Sequence, residues 1–261
     1  MTGSQRSGTT LLSLILDSHP EIKTIDEVLF ARQKLNDYLS SPDFPPHVVF
    51  KLPRYATEIE WIRALPEPRI LWCLRDPRDV VASMLQLTIP VTTVVSCAWA
   101  VHPNGGMDQV ASARSLLDDA QRAALQVELD RFDVVAAKPL TEITFPDAIL
   151  CAALCWTLKN ELLRRFDEAG LAYRIVAYEE VVSNPTSSIA AILDYLEVEW
   201  HDDVLRHHEL HSGIYIADVD FSRPIDRASV GRWKNRFHEA QAGVIERVAR
   251  PLAERLGCWT N

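Results

Sequence analysis

Three short runs of the chain are apolar at nearly every position: HVVFK at 47–51, RILWCL at 69–74 and YRIVAY at 173–178. Each is β-branched or aromatic and bounded by turn residues, a pattern that predicts buried strands. Around them apolar residues recur at helical spacing over 8–18, 54–64, 77–87 and 185–196. Strands alternating with helices predict an α/β fold with three α/β/α layers around a central, mostly parallel sheet. Two longer helical patterns, about 107–132 and 146–168, have no strand between them and predict a helical lobe. A last amphipathic helix is expected over 238–256, and no internal repeat occurs. The chain therefore reads as one domain, 1–261, with a helical insertion at about 88–168.

Composition agrees with this picture. The 261 residues are 48% hydrophobic and 24% charged, enough for a substantial core. No apolar run reaches the roughly 18 residues that a membrane helix needs, and the longest, VTTVVSCAWAV at 91–101, is interrupted. There is no basic segment followed by an apolar stretch at the start, so a cytoplasmic protein without a membrane span is expected. The formal net charge of −9 argues against a nucleic-acid partner but leaves room for a small basic pocket. Five cysteines without a CxxC pair read as buried free thiols. The oligomeric state is not legible.

The chemistry begins at GSQRSGTTLL, residues 3–12. Gly3 and Gly8 have the spacing of a P-loop-type turn, and Ser7-Gly8-Thr9-Thr10 opens an apolar helix. Unpartnered N–H groups and the positive end of the helix dipole make such a turn an anion cradle. Thr9 and Thr10 add hydroxyls, and Arg6 adds a guanidinium fork. An ordinary capped helix after a glycine turn is the alternative. A nucleotide triphosphatase would carry lysine where Thr9 stands, and a transferring sulfuryl group, with less negative charge than a phosphoryl group, can manage without it. Only Met1 and Thr2 precede Gly3, so the first strand is either a stub or begins upstream.

Three further segments carry candidate groups. RILWCLRDPRDVVASML (69–85) reads strand, turn, helix, with Asp76 as cap, Pro77 at the first helical position, Arg75 at the strand end and Ser83 about two turns on. Arg75 can instead pair with Asp76 or Asp79. Tyr178 closes the third strand, as a base-contacting phenol or a core tyrosine. SRPIDRASVGRWKNRF (222–237) gathers Arg223, Arg227, Arg232, Lys234 and Arg236, either an anion site or a solvated face.

Taken together these segments resemble the sulfotransferases that use 3′-phosphoadenosine 5′-phosphosulfate (PAPS), nearest to the bacterial and tyrosylprotein sulfotransferase-like branch. The likeness runs from residue 3 to about 237 and is weakest over 88–145. It implies that Arg6, Ser7, Gly8, Thr9 and Thr10 hold the 5′-phosphosulfate, Arg75 and Ser83 the 3′-phosphate, and Tyr178 the adenine. It implies that Arg223 and Arg227 belong to a basic loop closing over the nucleotide, although Asp226 and Ala228 depart from the family's pattern. In FKLPRY (50–55) the histidine base of the cytosolic branch is missing. The tyrosylprotein branch places a glutamate 21 residues after the loop arginine, which here is Glu27, with Asp26 adjacent. Lys51 matches a lysine that approaches the sulfuryl group. The implied catalytic set is Glu27, Arg6 and Lys51, with PAPS as co-substrate, no metal and a small-molecule hydroxyl acceptor chosen by the 88–145 segment. Within that segment 89–106 reads as a lid with a Gly-Gly turn, and His102 is a minor candidate base. An ATP-dependent P-loop kinase and a non-catalytic adenosine 3′,5′-bisphosphate binder are the rival readings. In HHELH (207–211) His207 and His211 are four apart and can share a helix face, but the stretch is not the HExxH of a zinc site and no second acidic ligand set accompanies it.

Overall fold

A computed structural model describes residues 1–40, 42–43, 45–90, 96–211, 214–215 and 219–259. At its centre three strands lie parallel: β1 (Thr2–Gly3), β4 (Ile70–Leu74) and β5 (Tyr173–Ala177), in the order β1-β4-β5. A second parallel pair, β2 (Ile22–Asp26) with β3 (His47–Lys51), lies beside β1. The junction is made by the Met1 amino group on the Phe50 carbonyl, 2.8 Å, and the Leu52 N–H on the Met1 carbonyl, 2.9 Å.

All five residues of β4 are buried, and their alternation builds two cores. Ile70, Trp72 and Leu74 face one side, against α2 (Pro77–Met84), α3 (Gly106–Arg114), α4 (Phe145–Glu161) and α6 (Glu239–Arg255). Leu71 and Cys73 face the other, against α1 (Thr9–Asp17) and α5 (Pro185–Leu196). The three-layer α/β/α arrangement follows. Every residue of α4 from Ala148 to Asn160 is buried, as expected of a helix apolar on all sides and packed on all sides. The described cysteines are all free, four of them buried. No helix among the described residues is long and apolar enough to cross a membrane.

Several elements differ from the sequence pattern for local reasons. The expected 54–64 helix is a 3-10 turn, Pro53–Thr57, followed by a short helix, Ile59–Arg63. The 107–132 pattern is three helices, α3, Asp119–Ala124 and Gln126–Ala136, because Asp118 and Gln121 form a capping box that restarts the chain. The 146–168 pattern breaks at Leu162, between α4 and Leu163–Glu168. Strand β2 went unpredicted because Lys23 and Thr24 interrupt its apolar run. The insertion at 88–168 is not wholly helical, since Thr88–Pro90 and Ser96–Ala98 pair antiparallel. Residues 91–95 of the expected 89–106 lid lie outside the described residues. Tyr178 does not end β5 but begins the following helix, Tyr178–Ser183.

Phe166 is fully buried, with its ring 5.1 Å from that of Trp72. Replacement by alanine is expected to cost about 3–5 kcal/mol in urea unfolding, because the vacated volume lies against the rings of Trp72 and Tyr173 on the central sheet, which cannot close it.

Candidate functional site

The turn between β1 and α1 is shaped by backbone that favours glycine. Gly3, Arg6 and Gly8 have φ of 127°, 68° and 90°. A Cβ on Gly3 would lie 2.4 Å from the Cys73 carbonyl oxygen, and one on Gly8 would lie 2.5 Å from the Tyr178 ring. The glycines thus let the turn lie against β4 and beneath Tyr178. Gly8 caps α1 without a side-chain hydrogen bond, and the first turn of the helix carries no acidic residue. The helix therefore presents its N–H groups and positive dipole end without a built-in anion. The left-handed Arg6 costs about 1–2 kcal/mol of backbone strain. In that conformation its Nε donates to Ser83 Oγ at 2.8 Å.

Arg75 leaves the end of β4 and is nearly buried. It donates to the backbone carbonyls of Arg6, at 3.2 Å, and of Ser229, and its guanidinium lies 4.3 Å from the centre of the Tyr178 ring. The two carboxylates that competed for Arg75 are used elsewhere. Asp76 caps α2 through the Arg78 N–H at 2.9 Å and binds the Arg78 guanidinium, which is stacked 4.2 Å from Trp233 and 3.9 Å from Trp259. Asp79 accepts from the backbone N–H groups of Gly231, 2.7 Å, and Trp233, 3.0 Å. Asp79 and Arg75 together tie the 229–233 segment over the cleft.

On the opposite side, the β2–β3 register places Asp26 beside Lys51. Their side chains form an ion pair, and Lys51 Nζ also donates to Thr10 Oγ1 at 3.2 Å. Glu27 follows in the turn after β2, and the Arg54 N–H donates to its Oε2 at 2.9 Å. Burial pushes the Glu27 carboxyl above the ordinary glutamate range, against the lowering effect of that hydrogen bond and of Lys159 and Lys51. Arg6, Thr9, Thr10, Glu27, Lys51, Arg75, Ser83, Tyr178 and Arg223 all line one cleft of about 1210 Å³.

A family model for the sulfotransferase domain matches residues 1–257. The chain belongs to the sulfotransferase family. It is 22% identical to protein-tyrosine sulfotransferase A of Caenorhabditis elegans over 307 aligned positions, covering 99% of this chain and 66% of that protein. It is 25% identical to protein-tyrosine sulfotransferase 2 of Gallus gallus over 285, covering 98% and 67%. The chain thus spans about two thirds of the length of these curated relatives. Its fold is similar to the sulfotransferase domain from the curacin biosynthetic pathway, with TM-score 0.58, 14% identity and 99% and 96% of the two chains covered. It is also similar to the sulfotransferase domain from the Synechococcus PCC 7002 olefin synthase, with TM-score 0.51, 14% identity and 94% and 91% covered.

In this sulfotransferase domain not every expected residue reaches the cleft. Arg227 is absent from its wall, whereas Arg232 and Arg236, which the sequence ranked lower, line it. Arg223 lines the cleft but is paired with Asp226. Ser7 is buried under the turn, its hydroxyl without a hydrogen-bond partner among the described residues. Asp26 is the partner of Lys51 rather than a second free carboxylate. His102 does not line the cleft; its Nδ1 accepts from the Asn104 N–H at 3.1 Å. The HHELH stretch forms a one-turn helix, His207–Leu210, and no cluster of three potential metal ligands occurs among the described residues. Sequence reasoning cast Asp79 only as a rival partner of Arg75, because its role needs the distant 231–233 backbone, and missed Lys159, which lies inside an apolar helix with no motif around it.

In Asp79→Ala the amides of Gly231 and Trp233 should exchange with deuterium more than about tenfold faster than in the parent. Two charge-assisted hydrogen bonds holding that segment are removed.

Proposed function

We propose that the domain transfers the sulfuryl group of PAPS to a hydroxyl acceptor by in-line displacement. The observation that carries this reading is the meeting, in one cleft, of an uncapped helix N-terminus with Arg6, Ser83 and Arg75 on one side and Lys51 and Glu27 on the other. The residues fit a nucleotide that is anionic at both its 3′ and 5′ ends. Arg75 Nε is a buried polar atom of the cleft wall without a partner among the described residues, and Gly8 keeps the turn free of a side chain where an oxyanion would approach. Bound PAPS would supply the sulfuryl group and, as leaving group, adenosine 3′,5′-bisphosphate.

The chain's own residues then have distinct tasks. Arg75 and Ser83 take the 3′-phosphate, and Tyr178, packed on the turn, offers a face to the base. The N–H groups of the turn, with Thr9 and Thr10, hold the 5′ end. Glu27 accepts the proton of the acceptor hydroxyl as its oxygen bonds to sulfur. Arg6 and Lys51 steady the charge that passes to the departing phosphate oxygen as the sulfur–oxygen bond breaks. The raised pKa suits Glu27 to this work, because a stronger base takes a hydroxyl proton more readily. This mechanism calls for no metal.

The acceptor in this reading is a small-molecule hydroxyl. Supporting it, Leu87, Ile89, Trp99 and Phe145, from the two ends of the insertion, place apolar surface along the cleft wall. A tyrosyl side chain of a protein is the second reading, favoured by the likeness to two protein-tyrosine sulfotransferases.

Calorimetry with adenosine 3′,5′-bisphosphate should show binding that ATP with Mg²⁺ does not reproduce. Labelled PAPS incubated with a phenol, an aliphatic alcohol and a tyrosine peptide should label at least one of them. Glu27→Gln should retain nucleotide binding and lose at least about 100-fold in turnover. If its turnover is unchanged, another base serves. Arg75→Ala should weaken the bisphosphate at least about tenfold, and by more than it weakens adenosine 5′-phosphosulfate, which lacks the 3′-phosphate.

A further inference from the structure

A lysine lies fully buried in the apolar helix α4. Lys159 Nζ donates to three acceptors: Gln5 Oε1 at 2.8 Å, Gln109 Oε1 at 2.8 Å and the Pro53 carbonyl. All three ammonium protons are therefore used, which lowers the cost of keeping the charge buried. Gln5 precedes Arg6 in the phosphate turn, and its own amide reaches Gln109 at 3.3 Å. The Pro53 carbonyl belongs to the same peptide unit as the Arg54 N–H, which donates to Glu27. That peptide is trans, so its C=O and N–H point in opposite directions. Ammonium, peptide dipole and carboxylate are thus joined in sequence, with each partner favouring the charge on the next.

We propose that Lys159 is a positioning residue for the transfer, holding Gln5 of the phosphate turn and, through the Pro53–Arg54 peptide, orienting Glu27 and favouring its anionic form. The assignment rests on Glu27 being the base. Its geometry ties the donor turn and the acceptor-side carboxylate to one buried charge. The ionisable and charged groups around the pair are few. Lys51 and Asp26 face Glu27 and are bound to each other, while Arg54 and the Cys155 thiol face Lys159. Burial pushes that thiol up to about 11, so it is neutral. Lys159 itself is pushed down by burial to about 8 and carries its proton at neutral pH.

The test reads Glu27 directly, by carbon-13 NMR titration of its side-chain carboxyl in the free protein, so it does not depend on finding an acceptor. Removing the cation in Lys159→Met should move the Glu27 midpoint up by about one pH unit. Lys159→Arg should restore most of the shift. Gln109→Glu, which keeps the side-chain shape but neutralises the ammonium's field, should move the midpoint in the same direction and by less. Calorimetric affinity for adenosine 3′,5′-bisphosphate should fall several-fold in Lys159→Met as Gln5 is released. An unmoved midpoint in folded Lys159→Met overturns the proposal. If that variant does not fold, an unmoved midpoint in Gln109→Glu does so. A parent protein that fails to bind the bisphosphate would instead count against the donor reading.

Discussion

A helix that begins without a cap can receive an anion only if the chain around its first turn is held still by other means. Here that work falls on backbone geometry and on arginine. Gly3 lies against the Cys73 carbonyl and Gly8 lies under the Tyr178 ring. Arg75 ties the carbonyl of Arg6 to that of Ser229. The turn is thereby wedged between β4, the helix after β5 and the 229–233 segment, with the N-terminal end of α1 facing the cleft. The same constraint sets the direction of Arg6, which reaches Ser83 from its left-handed conformation.

The electrostatics follow a consistent plan in an acidic chain. Cations facing the cleft donate through selected hydrogen bonds and are oriented by them: Arg6 by Ser83, Arg75 by two carbonyls, Lys51 by Asp26 and Thr10. Acidic residues nearby are committed to the backbone or to cations outside the phosphate turn, as with Asp79 on Gly231 and Trp233 and Asp76 on Arg78. A net charge of −9 is compatible with a strongly anion-attracting cleft, because position rather than total charge sets the local field. Lys159 extends the plan into the core, where low polarity magnifies a single charge.

Much of this was legible along the chain. Strands β3, β4 and β5 announce themselves as short apolar runs, but only β4 is buried throughout as that pattern predicts; β3 is half-buried up to Lys51 and β5 exposes Ile175, because neither is covered on both faces along its length. Helix α5 was predicted at its observed bounds, because Pro185 and the periodic apolar face mark it locally. Less visible were β2, whose Lys23 and Thr24 obscure the pattern, and the breaks at Asp118 and Leu162. Periodicity does not register a capping box or a kink inside a continuous apolar stripe.

For the site, the sequence by itself determined the phosphate turn, the sulfotransferase resemblance, and the candidates Arg6, Arg75, Ser83, Lys51 and Glu27. These are short-range signals, each a residue type at a set distance from a strand end or helix start. The tertiary structure alone decided which charges meet. It paired Asp26 with Lys51, left Arg227 off the wall while admitting Arg232 and Arg236, and placed Lys159 between Gln5 and Pro53. Such pairings join segments tens to hundreds of residues apart. Their energies depend on distance and burial in the folded chain, which no local pattern encodes.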